Sequence, residues 1–177
     1  LGAAQFALPG AVDRLRGLRE PASGGSTGSA TYGPVVHLLA ASDPANPYGA
    51  AIAWPRRDQS DRRPLPRAAG AYVVLVDGAA ALYLERGGRS LQTLPASDDP
   101  AVAGAALAAL QILVEDGRMR ELVVARVDGE PIAQSSRREA LELAGFAPGY
   151  RGLVLRPSVK RVAPAAGGSG PRGYSGG

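Results

Sequence analysis

Two apolar runs joined by Asp-Gly constrain this chain more than any other feature. Ala71-Tyr72-Val73-Val74-Leu75-Val76 leads into Asp77-Gly78, and Ala79 to Glu85 carries the apolar character on. Asp and Gly tolerate positive φ at both centres of a two-residue turn, whose twist matches that of paired strands, so this stretch predicts a β-hairpin. Arg86-Gly87-Gly88-Arg89 predicts a second turn and Leu91 to Leu94 a third strand. Further strands are expected at Val35-Val36-His37-Leu38-Leu39, from Leu122 to Val127 ahead of Asp128-Gly129, and at Gly152-Leu153-Val154-Leu155-Arg156. His37 is expected to be a buried, satisfied histidine of the first strand, and Tyr72, Tyr83 and Phe146 to be core residues.

Two helices are expected among these strands. Asp98 or Asp99 can cap a helix whose first turn holds Pro100. Val102, Ala103, Ala106, Leu107, Leu110, Leu113 and Val114 recur on one face, and Gly117 ends it. Ser135 or Ser136 can cap a shorter helix with Ala140, Leu141 and Ala144 inward, closed by Gly145. Strands outnumber helices and several join by tight turns. The expected fold class is therefore α+β: an antiparallel sheet or β-barrel-like module with two packed helices.

With 177 residues the chain holds one domain, or one small domain plus a piece of another. Gln5-Phe6-Ala7-Leu8 stops at Pro9, and Ala11, Val12, Leu15 and Leu18 then recur at helical spacing with Arg14, Arg16 and Arg19 opposite. A strand and one helix cannot fold alone, so residues 1–20 read as the end of an upstream domain. Residues 21–33 are a Gly/Ser linker, residues 34–156 the main module, and residues 157–177 a Gly-rich tail expected to be disordered. The start lacks Met and has neither the charged opening nor the apolar stretch of a signal peptide, which suggests a piece of something longer and a cytoplasmic setting. No apolar run approaches the roughly 20 residues that span a bilayer.

Composition excludes several chemistries. The chain has no cysteine, hence no disulfide, thiolate zinc site, iron–sulfur cluster or Cys nucleophile, and its one histidine cannot make a His-rich metal cage. Its one lysine, Lys160, lies in Ser158-Val159-Lys160-Arg161, so no G-K-[ST] phosphate loop exists and no ATPase site of that kind. Lys+Arg number 20 against 16 Asp+Glu, a formal charge of +4, which permits a polyanionic partner without requiring one. The excess of Arg over Lys, with much Ala, Gly and Pro, matches the codon bias of a GC-rich genome and weakens arginine content as a sign of nucleic-acid binding.

Several blocks in order resemble the C-terminus of the bacterial Lhr family, the large helicase-related proteins. They are Gln5-Phe6-Ala7-Leu8-Pro9; Leu39-Ala40-Ala41-Ser42-Asp43-Pro44-Ala45-Asn46-Pro47-Tyr48-Gly49-Ala50; Trp54-Pro55; Arg67 to Gly78; and Tyr83-Leu84-Glu85-Arg86-Gly87-Gly88-Arg89-Ser90-Leu91. Val127-Asp128-Gly129-Glu130, Ala144-Gly145-Phe146 and residues 152–156 complete the set. The resemblance implies membership of a family of ATP-dependent 3′-to-5′ translocases that unwind DNA and RNA–DNA duplexes and are linked to DNA repair. It implies an N-terminal motor, absent from this sequence, that alone would use ATP and Mg; this chain itself implies no cofactor. It also implies a C-terminal array of winged helices closed by a β-barrel module, similar to a family of DNA glycosylases. Residues 1–20 would then be the tail of the last winged helix and 34–156 the barrel module. The implied partners are DNA or an RNA–DNA hybrid and the remainder of the helicase. The apolar sheet content separately allows docking on a further copy of the chain or a purely structural capping role, and no membrane partner is expected.

Within that frame the candidate residues divide by chemistry. Asp43 could orient a water or stabilise an oxocarbenium-like sugar in base excision, or could instead build an Asx turn with Pro44 and Asn46. Asn46 and Tyr48 could touch a base or phosphate, or satisfy loop backbone. Arg56, Arg57, Arg62, Arg63 and Arg67 suit phosphate contacts on an adaptable loop, and five such contacts would give a salt slope of roughly −4 to −5 on duplex DNA. Arg86 and Arg89 flank Gly87-Gly88, where amides and guanidinium groups could hold a phosphate. Trp54 could stack on an unpaired base or pack in the core. Glu85 is expected to pair with Arg86 or Arg89.

Overall fold

The computed structural model describes residues 33–58 and 65–158. The expected winged-helix tail at 1–20, nearly all of the linker at 21–33, and the tail beyond residue 158 lie outside the described residues, as do Arg62 and Arg63. The described residues from Pro34 onward belong to one compact unit.

In chain order the elements are β1 (Val36–Ala40), β2 (Tyr72–Val76), β3 (Ala79–Leu84), β4 (Ser90–Thr93), a 3-10 turn (Pro95–Asp98), α1 (Pro100–Ala109), α2 (Gln111–Glu115), β5 (Leu122–Val124), β6 (Arg126–Val127), β7 (Glu130–Pro131), α3 (Arg138–Leu143), β8 (Ala147–Gly149) and β9 (Gly152–Leu155). The class is α+β. Both Asp-Gly pairs turn hairpins, with φ of 49° and 82° at Asp77 and Gly78 and of 54° and 86° at Asp128 and Gly129. Positive φ at both centres is the type I′ signature that the dipeptide favours. Each Asp also uses its carboxylate: Asp77 Oδ1 accepts from Val35 N–H (2.9 Å), and Asp128 accepts from Thr93 N–H (2.7 Å) and Oγ1 (2.6 Å).

The sheet differs from expectation in two ways. Its strand order is β1-β2-β3-β4-β6-β7, with β5-β9-β8 as a separate three-stranded sheet, so the module is an open pair of sheets and not a closed barrel. It is also mixed, because β4 pairs in parallel with β6, Ser90 opposite Arg126 and Leu91 opposite Val127. A parallel pair needs a long crossover, which the helical segment between β4 and β5 supplies. The cause of both differences lies in Leu122 to Val127, which is two strands. The chain leaves one sheet at Val124 and joins the other at Arg126, while Ala125 and Arg126 donate their N–H groups to Arg89 O (2.9 and 3.1 Å).

The expected first strand is an edge strand that is only half-buried, and His37 points to solvent instead of into the core. Asp99 is the helix cap, accepting from Ala101 N–H at 2.8 Å ahead of Pro100. The expected single helix is divided at Leu110, where Leu110→Leu107 and Leu113→Leu110 bonds of the tighter 3-10 pattern (3.1 Å each) replace α-helical ones. For α3, neither Ser135 nor Ser136 occupies the cap position, which is Arg137. Ser135 Oγ accepts from Arg137 N–H (3.2 Å), so it steadies the approach to the helix instead.

Strand alternation fills two cores on opposite faces of the large sheet. Val74, Val76, Leu82, Leu84 and Leu91 face a main core with Leu107, Leu110, Leu113, Leu122, Leu141, Phe146 and Leu153. Val73, Leu75, Ala80 and Tyr83 face the other side with Ala41, Ala71 and Leu94. A bulge shifts the register so that Val74 opposes Leu82 but Leu75 opposes Ala80, which leaves Ala81 extra and turns both Ala81 and Leu82 into the main core. Among the described residues no helix packs in this second core. The irregular chain from Ala41 onward covers it, with Tyr48, Trp54, Leu65 and Ala68 packed against it.

Candidate functional site

The Ser-Asp-Pro-Ala-Asn-Pro-Tyr-Gly block forms that irregular cover, and its polar side chains hold it in shape. Asp43 Oδ1 accepts from Ala45 N–H (2.8 Å) in an Asx turn, leaving Oδ2 without a partner among the described residues. Asn46 is fully buried; its Nδ2 donates to Ala41 O (2.9 Å) and its Oδ1 accepts from Tyr48 N–H (3.1 Å). The Tyr48 hydroxyl donates to Gly78 O (3.1 Å) and accepts from Ala80 N–H (3.3 Å), tying the loop to the first hairpin turn.

Arg67 closes the loop from outside. Nη1 donates to Asn46 O (2.5 Å) and Tyr48 O (3.0 Å), and Nη2 to Asp43 O (2.9 Å). A fixed fork of donors can collect three carbonyls that no ammonium could reach together. Beneath it Trp54 stacks on Tyr48 (ring centroids 5.6 Å, 22° between planes) and meets Tyr83 edge-on (5.5 Å, 80°). The Trp54 Nε1–H is buried without a partner among the described residues. Gly49 permits this stack: its φ is +76°, and a Cβ there would lie 2.5 Å from Trp54 Nε1. Tyr83 donates to Pro66 O (2.7 Å), and burial, helped by nearby Glu85, pushes its phenol above the usual range.

Arg57 is anchored as well. Its Nη2 meets Asp98 Oδ1 at 2.7 Å, Nη1 donates to Thr93 O (2.6 Å), and Nη2 also reaches Leu94 O (3.2 Å). The hydrogen bond and charge of Arg57, with Arg137 3.5 Å away, hold the Asp98 carboxyl below its ordinary value of 3.8. Arg56 lies on the exposed side of the same segment. The basic loop therefore does not present five equivalent cations: Arg57 and Arg67 spend their donors on backbone and on Asp98, while Arg62 and Arg63 lie outside the described residues.

Arg86 and Arg89 stand differently. The turn between β3 and β4 is closed by Gly88 N–H to Glu85 O and Glu85 N–H to Ser90 O (both 2.9 Å). Gly88 has φ +75° and presses on Leu122, whose Cδ1 would lie 2.5 Å from a Cβ at that position. The turn is thus fixed against the chain entering β5, while both arginine side chains remain exposed with no ion pair among the described residues. Glu85 pairs with neither of them, because its Oε1 accepts from Gln92 Nε2 (3.0 Å). Arg126 lies on β6 beside the start of β4, one guanidinium N–H on Gly129 O (3.2 Å).

A second feature involves residues that carry no sequence motif. A cleft of about 300 Å³ lies between the end of the β6–β7 hairpin, the start of α3 and the turn joining β8 to β9. Its rim holds Tyr150 and Arg151, an aromatic and a cation between Gly149 and Gly152. Among the described residues no group of three His, Cys, Asp or Glu could hold a metal ion, and no helix is long and apolar enough to cross a membrane.

No family model matches the sequence. The chain is similar to a protein of Mycolicibacterium smegmatis named Lhr helicase/probable uracil glycosylase, 45% identical over 165 residues, which is 88% of this chain and 10% of that protein. It is also similar to the Lhr helicase/uracil glycosylase of Escherichia coli, 34% identical over 157 residues, 86% of this chain and 9% of that protein. The chain thus spans about a tenth of the length of the curated relatives it matches. Identity at this level across nearly the whole described module leaves one assignment: the chain belongs to the Lhr family.

Proposed function

We propose that this chain is a non-motor accessory module from the C-terminal region of an Lhr-type helicase involved in DNA repair, acting in the cytoplasm by contacting nucleic acid. The observation that carries this reading is the β3–β4 turn, where Arg86 and Arg89 are exposed, unpaired among the described residues, and mounted on a rigid tip with Arg126 on the adjoining strand. Guanidinium groups held this way suit phosphate oxygens, which accept two parallel N–H bonds. Arg56, and Arg62 and Arg63 by sequence, are further candidates, as are Asn46, Tyr48 and Trp54 once the cover loop opens.

The test is binding of the 177-residue chain to a labelled single strand and to a fork across a salt titration. Each phosphate contact on a single strand contributes about −0.7 to the log–log slope. Converting Arg86 and Arg89 to alanine should flatten the slope by about 1.4. Absence of binding at low salt would leave a module that docks on the remainder of its own protein or on a second copy.

A second reading makes the module part of a unit that excises damaged or uracil bases. Two observations favour it: both relatives carry uracil glycosylase in their names, and Asp43 Oδ2 is unpartnered among the described residues. Incubation with uracil-containing DNA should then produce abasic sites, lost in Asp43→Asn. An intact substrate would remove this reading for the chain on its own.

A further inference from the structure

We infer that the cleft beside the β8–β9 turn seats one unpaired nucleotide of a single strand, with Tyr150 stacking on its base and Arg151 and Arg138 holding its phosphate. The inference rests on the nucleic-acid reading above and adds a second contact point away from the β3–β4 turn.

Tyr150 and Arg151 form the tip of a two-residue turn between Gly149 and Gly152, which face each other in the β8–β9 ladder. Tyr150 is 100% exposed, so its ring packs on nothing among the described residues. A large aromatic left wholly in water gains no burial energy, whereas every nucleobase has a face that stacks on such a ring. Beneath it the floor is apolar, formed by Pro131, Ile132 and Leu153, with Ile132 and Leu153 nearly fully buried. Ile132 N–H donates to Ala125 O (2.9 Å), which ties the floor to the chain between β5 and β6.

The charge at the rim selects the ligand class. Two arginines line the cleft and no carboxylate does. Arg138 Nε donates to Glu142 Oε1 (2.9 Å), which leaves its Nη edge open, and Arg151 has no side-chain partner among the described residues. An apolar floor, an exposed ring and two cations match a base joined to a phosphate. A volume of about 300 Å³ stands at the small end of ligand pockets and admits one nucleotide, not a duplex.

The experiment uses the full chain with single strands, oligo(dT) and oligo(U) in separate arms, each carrying one photoreactive 5-iodouracil. Irradiation and peptide mass spectrometry should place the crosslink on Tyr150. Affinity should fall about ten-fold in Tyr150→Ala and stay within about two-fold in Tyr150→Phe. A fall in one arm only tells which of the two strands the cleft accepts. If Tyr150→Ala binds both strands as the parent does while Arg86→Ala/Arg89→Ala binds weakly, the cleft is not a nucleotide site and the broader reading stands. If the parent chain binds neither strand at low salt, both fall. Tyr150 has no packing to lose, so the variants fold.

Discussion

Arg67→Ala should detach the cover loop from the second face of the large sheet. The side chain makes three charge-assisted bonds, to Asp43 O, Asn46 O and Tyr48 O, at 2.5 to 3.0 Å. A buried hydrogen bond to a charged group contributes about 1.5–3 kcal/mol. These three are half-buried and share one guanidinium, so about 1 kcal/mol each, or about 3 kcal/mol together, is the reasoned loss. For a domain of this size that corresponds to a fall in Tm of roughly 10 °C. The assay has a built-in local probe, because Trp54 is the one tryptophan and is stacked on Tyr48 within the clamped loop. Its emission should shift to the red in Arg67→Ala before the far-ultraviolet circular dichroism changes. Arg67→Lys should recover no more than about a third of the loss, since an ammonium cannot span the three carbonyls. A fall in Tm below about 2 °C with unchanged Trp54 emission would refute this account. The loop would then be held by its apolar contacts, and Arg67 would be free for another task.

Two further outcomes test the same region. Trp54→Phe should cost under about 1 kcal/mol, because removing a buried, unpartnered Nε1–H offsets part of the lost packing, whereas Trp54→Ala should cost about 3 kcal/mol; urea unfolding followed by circular dichroism separates the two. Asp98 sets an acid limit. Its folded pKa lies below its ordinary 3.8, so the Arg57 contact stabilises fully above about pH 4 and is lost as the pH falls through the lowered value. Asp98→Asn should therefore lower the urea midpoint at pH 7 and narrow the drop between pH 7 and pH 3. An unchanged acid drop would mean that other carboxylates control it.

Much of the fold is legible in the residues because its causes are local. The Asp77-Gly78 and Asp128-Gly129 turns follow from the φ that Asp and Gly tolerate, and the cap at Asp99 from a carboxylate two residues ahead of a free N–H. The antiparallel order β2-β3-β4 follows, since tight turns fix which strands meet, whereas β1 reaches β2 only through residues 41–71. The Asx turn at Asp43 is of the same kind. His37 is misleading because an apolar strand reads the same at an edge as at the centre of a sheet; among the described residues β1 has no neighbour on its outer side, and His37 is exposed.

Arg67 marks the other limit. By sequence it is one arginine among five on a basic loop; in the fold its donors are spent on carbonyls 19 to 24 residues away, and Arg57 is spent on Asp98, 41 residues away. The same holds for the division of Leu122 to Val127 between two sheets and for the cleft beneath Tyr150. The turns, the cap ahead of Pro100, the alternating apolar faces and the family are readable from residue order alone, because each depends on residues close in the chain or on their order along it, whereas the cap of α3 is not. Which cations stay free to meet a phosphate is settled by the folded chain, because a guanidinium's availability depends on every acceptor that folding brings within 3 Å of it.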